Sequence, residues 1–237
     1  MSPAAGGPNV QMLCKVAEQL EWLLERLVFV GGATTELLVT EKSKMGIRPT
    51  KDVDVIVKAT SRLDYNELER SLRAHGHSPR AEAGDPICRW MIGEIVVDLM
   101  PVKSEILGFS NKWYPEAVEN WFLATLSENL KIRVITAPFF LATKLEAFLG
   151  RGEGNYLNSH DIEDIIMVIN GRSELVEEVR NSHSELKNYL SEQFIIFLND
   201  ESYSDAILWN LPSDSASQGR YPLIVQRIQE IIAAANG

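Results

Sequence analysis

Three short apolar runs, one ending in a glycine pair and two carrying aspartates, limit what this chain can fold into. Leu27-Val-Phe-Val30 runs into Gly31-Gly32. Asp52 opens Val53-Asp54-Val55-Ile56-Val57, and Glu94-Ile-Val-Val97 leads to Asp98-Leu99. Their β-branched density and length read as strands. Side chains alternate along a strand, so Asp52 and Asp54 point the same way, one pleat apart. If the Asp98 strand pairs beside them, three carboxylates converge on one spot of a sheet. Such a group is costly without counter-charge, and hard oxygen ligands suit Mg²⁺ or Mn²⁺. The combination points to phosphoryl chemistry on a nucleotide.

The spacing around these runs predicts the other elements. A helical period covers about 10–26, with Val16, Leu20, Leu23, Leu24 and Leu27 on one stripe. After the glycines, Ala33 to Glu41 reads as a helix opening, so that strand, glycine turn and helix N-terminus form an anion cradle. Pro49 makes 48–51 a loop. A helix is expected over 62–75. Strands at 87–91 and 94–99 form a hairpin about Ile92-Gly93, ended by Pro101. This predicts an α/β (α+β) domain with a mixed sheet over 1–105.

Residues 106–237 read as a mainly helical domain that completes a cleft. Arg133–Thr136 is a short extended piece, and Pro138 starts a helix over 139–149. Gly150 to Gly154 reads as a linker. Ser159 caps a helix over 161–170 with Gly171 as its C-cap, and further helices are expected over 175–197, 204–210 and 223–235.

Composition narrows the function classes. No apolar stretch is long enough to span a bilayer, and Met1 to Pro8 reads as a frayed tail with no basic or apolar leader signature. Cys14 and Cys88 lack metal-ligand spacing and read as reduced thiols of a cytoplasmic protein. The net charge of −10 is uneven: residues 1–104 carry 13 Lys and Arg against 14 Asp and Glu, whereas 105–237 carry 10 against 19. An acidic chain is a poor non-specific ligand for nucleic acid. A polyanion would need the local cluster Lys42, Lys44, Arg48 and Lys51, which reads equally well as a solvated loop.

Gly31-Gly32, Asp52-Val-Asp54 and Asp98 together resemble the DNA polymerase β-like nucleotidyltransferase superfamily. Arg48-Pro-Thr-Lys-Asp-Val-Asp54 looks closest to its AbiEii/AbiGii toxin-like branch, as do Leu141-Ala-Thr-Lys-Leu-Glu-Ala-Phe148 and Ser159-His-Asp-Ile-Glu-Asp164. The resemblance spans 27 to about 170. One departure is Ala33, which stands where many members place a serine.

The resemblance implies a nucleotidyltransferase core. Gly31 and Gly32 would offer amides to an NTP triphosphate, with Thr34 or Thr35 as hydroxyl donor. Asp52, Asp54 and Asp98 would be catalytic and hold Mg²⁺ or Mn²⁺. Lys144 would neutralise phosphate charge, and Asp161 and Asp164 would orient that lysine or the nucleoside; His160 and Arg151 are weaker additions. The acceptor would be an RNA end, as in toxin-like relatives, or a protein or small molecule, and an antitoxin is a usual partner of those relatives.

Each residue also has a structural reading. Asp52, Asp54 and Asp98 could be solubilising strand ends, Lys144 a snorkelling lysine, and Asp161 a helix N-terminal acid. His75, His77 and His183 have no partners at metal-ligand spacing. A nucleotide-binding regulatory module without turnover is the alternative of a different class. A sugar-nucleotide transferase is a third reading, because Asp-x-Asp pairs also hold metal diphosphates.

Overall fold

Leu27–Val30 (β1) is buried at every position, as a central strand with both faces covered requires. It lies inside a seven-stranded mixed sheet of order β3-β4-β5-β2-β1-β7-β6. The computed structural model describes residues 6–41, 46–151 and 154–236. The chain forms two compact units: Met1–Leu37 with Arg48–Thr136, and Leu38–Ile47 with Ala137–Gly237.

In the first unit Pro8–Gln19 forms α1. The expected continuous helix over 10–26 divides here, because Glu21–Arg26 winds as a 3₁₀ segment. A three-residue repeat keeps both Leu20 and Leu23 against the core. After β1, Gly32–Thr34 is a 3₁₀ turn and Thr35–Leu38 (α2) a single α turn.

Asp52–Val57 (β2) lies antiparallel to β1. Arg62–Ala74 (α3) follows, capped by Ser61 and burying Tyr65, Leu68 and Leu72 at helical spacing. The short β3 (Ser78–Pro79) leads to the expected hairpin, β4 (Arg89–Ile92) and β5 (Ile95–Pro101), which turns at Gly93 with φ +61°. One-turn helices α4 (Ser104–Leu107) and α5 (Tyr114–Ala117) complete the approach to β6 (Trp121–Ser127) and β7 (Leu130–Ile135).

β2 and β5 are parallel, as are β1 and β7. The sheet therefore extends past the boundary expected at 105, and 106–136 belong to the first unit. The reason is the β6–β7 hairpin. Ala124 and Leu126 are buried while Trp121, Leu123, Thr125 and Ser127 are exposed, a period of two that covers one face.

The second unit is helical. α6 (Ala137–Arg151) and α7 (His160–Gly171) pack together, and α7 buries ten of its 12 residues, as the central helix of a bundle does. The helix expected over 175–197 divides into α8 (Leu175–Arg180) and α9 (Ser184–Leu198). His183 supplies the new cap, its Nδ1 accepting from Leu186 N at 3.4 Å. α10 (Glu201–Trp209), the short α11 (Ser215–Gln218) and α12 (Tyr221–Ala233) follow.

The segment 38–41 is bonded into this unit. The Thr40 and Glu41 amides donate to Gly171 O, and Arg172 donates to Leu38 O at 2.8 Å. Glu41 meets Arg220 and Arg227. No helix among the described residues is long and apolar enough to cross a membrane.

Candidate active site

Register places the carboxylates. Asp54 aligns with Asp98 across the parallel β2–β5 pair, Asp98 with Arg89 across β5–β4, and Val30 with Asp54 across β1–β2. Paired residues on neighbouring strands share a face, so Arg89, Asp98, Asp54 and Val30 form a row across four strands. Asp52 lies on the same face one pleat along. Val53, Val55 and Val57 point the other way and are fully buried. The sheet is thus anchored on one side and carries its acids on the other.

Gly31 closes the row. It has φ +69° and ψ −169°, a region essentially restricted to glycine. A Cβ there would lie 2.0 Å from Asp54 Oδ2. The glycine turn therefore brings backbone directly against the Asp54 carboxylate.

Asp52 is positioned by a relay from α1. Asn9, 2% exposed, accepts from Thr50 N and donates to Arg48 O, both at 3.0 Å. Thr50 Oγ1 then donates to Asp52 Oδ1 at 2.9 Å. Lys51 of the same loop is exposed, while Lys42 and Lys44 lie outside the described residues.

Arg89 is the unexpected member. Its Nε and Nη2 hydrogen-bond the two oxygens of Asp98 at 2.8 and 2.7 Å, a bidentate pair. Nη1 bonds Asp85 at 3.1 Å and Nη2 lies 3.7 Å from Asp52. Asp98 holds Arg89 still more firmly protonated than usual, against the opposing effect of burial. Partial burial raises the Asp85 carboxyl, but hydrogen bonds from Arg89 and the Glu82 amide outweigh it and leave Asp85 below its ordinary range. Beside them the Cys88 thiol is pushed up to about 12, by burial first and by Asp98 and Asp54 after it.

Asp52, Asp54 and Asp98 are hard oxygen donors on one face of adjacent strands, the donor type a divalent cation takes. Yet among the described residues no three Asp, Glu, His or Cys side chains converge as a cation cage. Both Asp98 oxygens are engaged by Arg89.

The glycine turn differs from the expected cradle. Thr34 Oγ1 donates to Gly31 O at 2.8 Å, closing the turn. Thr35 Oγ1 is buried with no hydrogen-bond partner among the described residues. Neither hydroxyl is exposed. The helix expected to Glu41 ends at Leu38, because the next amides go to Gly171; a single α turn gathers little dipole. Gly32 opens the 3₁₀ turn.

In the second unit Lys144, Asp161 and Asp164 come together. Lys144 Nζ lies 3.0 Å from Asp161 Oδ1 and 2.6 Å from Asp164 Oδ2, with all three residues buried. His160 is exposed and faces Glu163, and the Arg151 side chain lies outside the described residues.

Arg89, Asp85, Asn9 and Thr50 escaped the sequence reading. For Arg89 a signal existed: a hairpin turning at Gly93 sets residues whose numbers sum to 187 opposite one another, which pairs 89 with 98. Asn9 had none, being 41 residues from its loop partner Thr50.

Comparison with protein-family models and with curated proteins finds no match for the chain.

Proposed function

We propose that this protein is a Mg²⁺- or Mn²⁺-dependent nucleotidyltransferase that moves a nucleoside monophosphate from an NTP to an acceptor hydroxyl. The observation that carries the reading is the lateral register of Asp54 with Asp98, with Asp52 on the same face and Gly31 against Asp54. Arg89 already meets Asp98 and approaches Asp52, and a divalent cation would meet all three acids through hard oxygen donors.

Asp52, Asp54 and Asp98 would hold the metal, which when bound would polarise the phosphoryl oxygens and offset developing charge. The rest of the work falls to the chain. The acceptor oxygen bonds to the α-phosphorus, the bond to the bridging oxygen breaks, pyrophosphate leaves, and the acceptor proton passes to Asp98. Gly31 leaves room for the Asp54 carboxylate against its backbone, which any side chain there would displace. Lys144 is held by Asp161 and Asp164 inside the helical unit and is given no part in this step.

The resemblance to toxin-like nucleotidyltransferases extends the proposal to a cytoplasmic enzyme acting on an RNA end, with an antitoxin partner. The deciding experiment is label transfer from each α-³²P NTP, with Mg²⁺, into RNA, protein and small-molecule fractions, beside Asp52→Ala/Asp54→Ala. Label entering one fraction with wild type alone supports the proposal and names the acceptor class. NTP binding without pyrophosphate release from any acceptor replaces it with the regulatory-module reading, which the inward-facing Thr34 and Thr35 and the occupied Asp98 favour.

A further inference from the structure

We infer that Arg89 is an internal cation that competes with divalent metal for Asp98, so that the metal site opens only when the guanidinium moves over to Asp85. This rests on the metal-dependent reading of the site. Arg89 straddles the two carboxylates, with two hydrogen bonds to Asp98 and one to Asp85. The fork on Asp98 engages both oxygens that a cation would need, so the two ligands exclude each other. Asp85 gives the guanidinium somewhere to remain. It sits four residues before Arg89, with its second oxygen accepting from the Glu82 amide at 3.2 Å and 3.4 Å from Arg80 Nε. Released from Asp98, Arg89 keeps one anionic partner and avoids full desolvated isolation.

The geometry also accounts for a shared face of acids that stays folded without metal. Asp98 is 7% exposed, and a buried carboxylate beside Asp54 needs a counter-charge, which Arg89 supplies. The site therefore meets the charge of Asp98 internally at rest. Its affinity for a lone divalent ion is lowered by whatever the Arg89–Asp98 pair contributes.

The test is Mn²⁺ binding to the full chain, read by electron paramagnetic resonance of the free ion, for wild type, Arg89→Gln, Arg89→Lys and Asp54→Asn. Arg89→Gln is expected to bind Mn²⁺ about tenfold more tightly than wild type, with Arg89→Lys between them and Asp54→Asn weaker than all. Because loss of Arg89 could unfold the hairpin, a second measurement uses the wild-type chain. The Arg89 Nε–H resonance, slowly exchanging while bonded to Asp98, should lose its protection as Mg²⁺ is added. If Arg89→Gln binds Mn²⁺ no more tightly while Asp54→Asn still abolishes binding, the competition is overturned and the metal site stands. If Nε–H stays protected at saturating Mg²⁺, the competition is overturned as well. If neither wild type nor Arg89→Gln binds Mn²⁺, the metal reading falls and takes this inference with it.

Discussion

Gly31 and Asp54 occupy each other's space: the position a Cβ on Gly31 would take is 2.0 Å from Asp54 Oδ2 and 2.8 Å from its Cγ. The turn after β1 thereby sets backbone directly against the carboxylate of β2. Any side chain at 31 must either push Asp54 out of the row or open the β1–β2 ladder.

Gly31→Ala is therefore expected to lower stability by about 2–4 kcal/mol, with about 1–3 from the backbone region and the rest from the clash. Gly76 provides the control, since it has φ +86° but open space around it. Gly76→Ala should show only the smaller, conformational loss. Thermal unfolding of the two variants followed by circular dichroism separates the contributions; equal losses would mean that Asp54 yields freely.

Asp54→Asn should remove transfer activity by about 10³-fold or more, because a neutral amide is a poor ligand for a hard cation. Its stability should stay within about 1 kcal/mol of wild type, since the change relieves like-charge crowding with Asp98. Label transfer and urea unfolding on the same preparation check both halves.

Lys144→Met should destabilise the helical unit by about 3–5 kcal/mol, because it leaves Asp161 and Asp164 buried without their shared cation. Asp164→Asn added to it should recover part of the loss. Urea denaturation of the single and double variants gives the coupling. A single variant as stable as wild type would show that Lys144 stands ready for another partner.

Glu41→Gln links stability to pH. Burial raises the Glu41 carboxyl, but hydrogen bonds and charge from Arg227 and Arg220 overcome it and hold it below its ordinary 4.5. A depressed carboxylate contributes stability above its unfolded pKa, and the contribution is lost as pH falls through the folded one. Wild type should exceed the variant by about 1–2 kcal/mol at pH 7, and the gap should close below about pH 4. Urea midpoints at the two pH values test it.

Cys88, raised to about 12 and 2% exposed, should resist iodoacetamide at pH 8 in the folded chain and react only after unfolding. Mass spectrometry of timed labelling reads the opening of the β4–β5 hairpin, which carries Arg89 and Asp98.

Much of the fold was legible where local pattern and tertiary fate agree. β1, β2 and β5 are apolar runs bounded by glycine, loop or proline, and α3 and α7 begin at the serines that cap them. The alignment of Asp54 with Asp98 followed from assuming that their strands pair. The β6 strand went unread because its alternation is weak: Trp121, Leu123 and Thr125 are exposed, and apolar residues outside look the same as apolar residues inside. The division at 181–183 depends on a histidine acting as a cap, a choice no period encodes. Shortening of the helix after Gly32 was set by Gly171, which takes the amides of Thr40 and Glu41 from far along the chain. Arg89 becomes visible once the register of its hairpin is fixed, whereas Asn9 acts from a helix on a loop 41 residues away, which no local pattern encodes.

The segment Leu38–Ile47 gives the chain an inseparability that its order hides. It belongs to the helical unit although sequence on both sides of it belongs to the sheet unit. A gene cut at Ala137 would keep every helix from α6 to α12 and still discard Glu41, Thr40 and the Leu38 carbonyl. Arg227, Arg220, Glu174 and Arg172 would then lose bonded partners, with Arg227 only 8% exposed. Grafting the helices onto another scaffold must carry this inserted segment along, because the helical unit is not one contiguous stretch of chain.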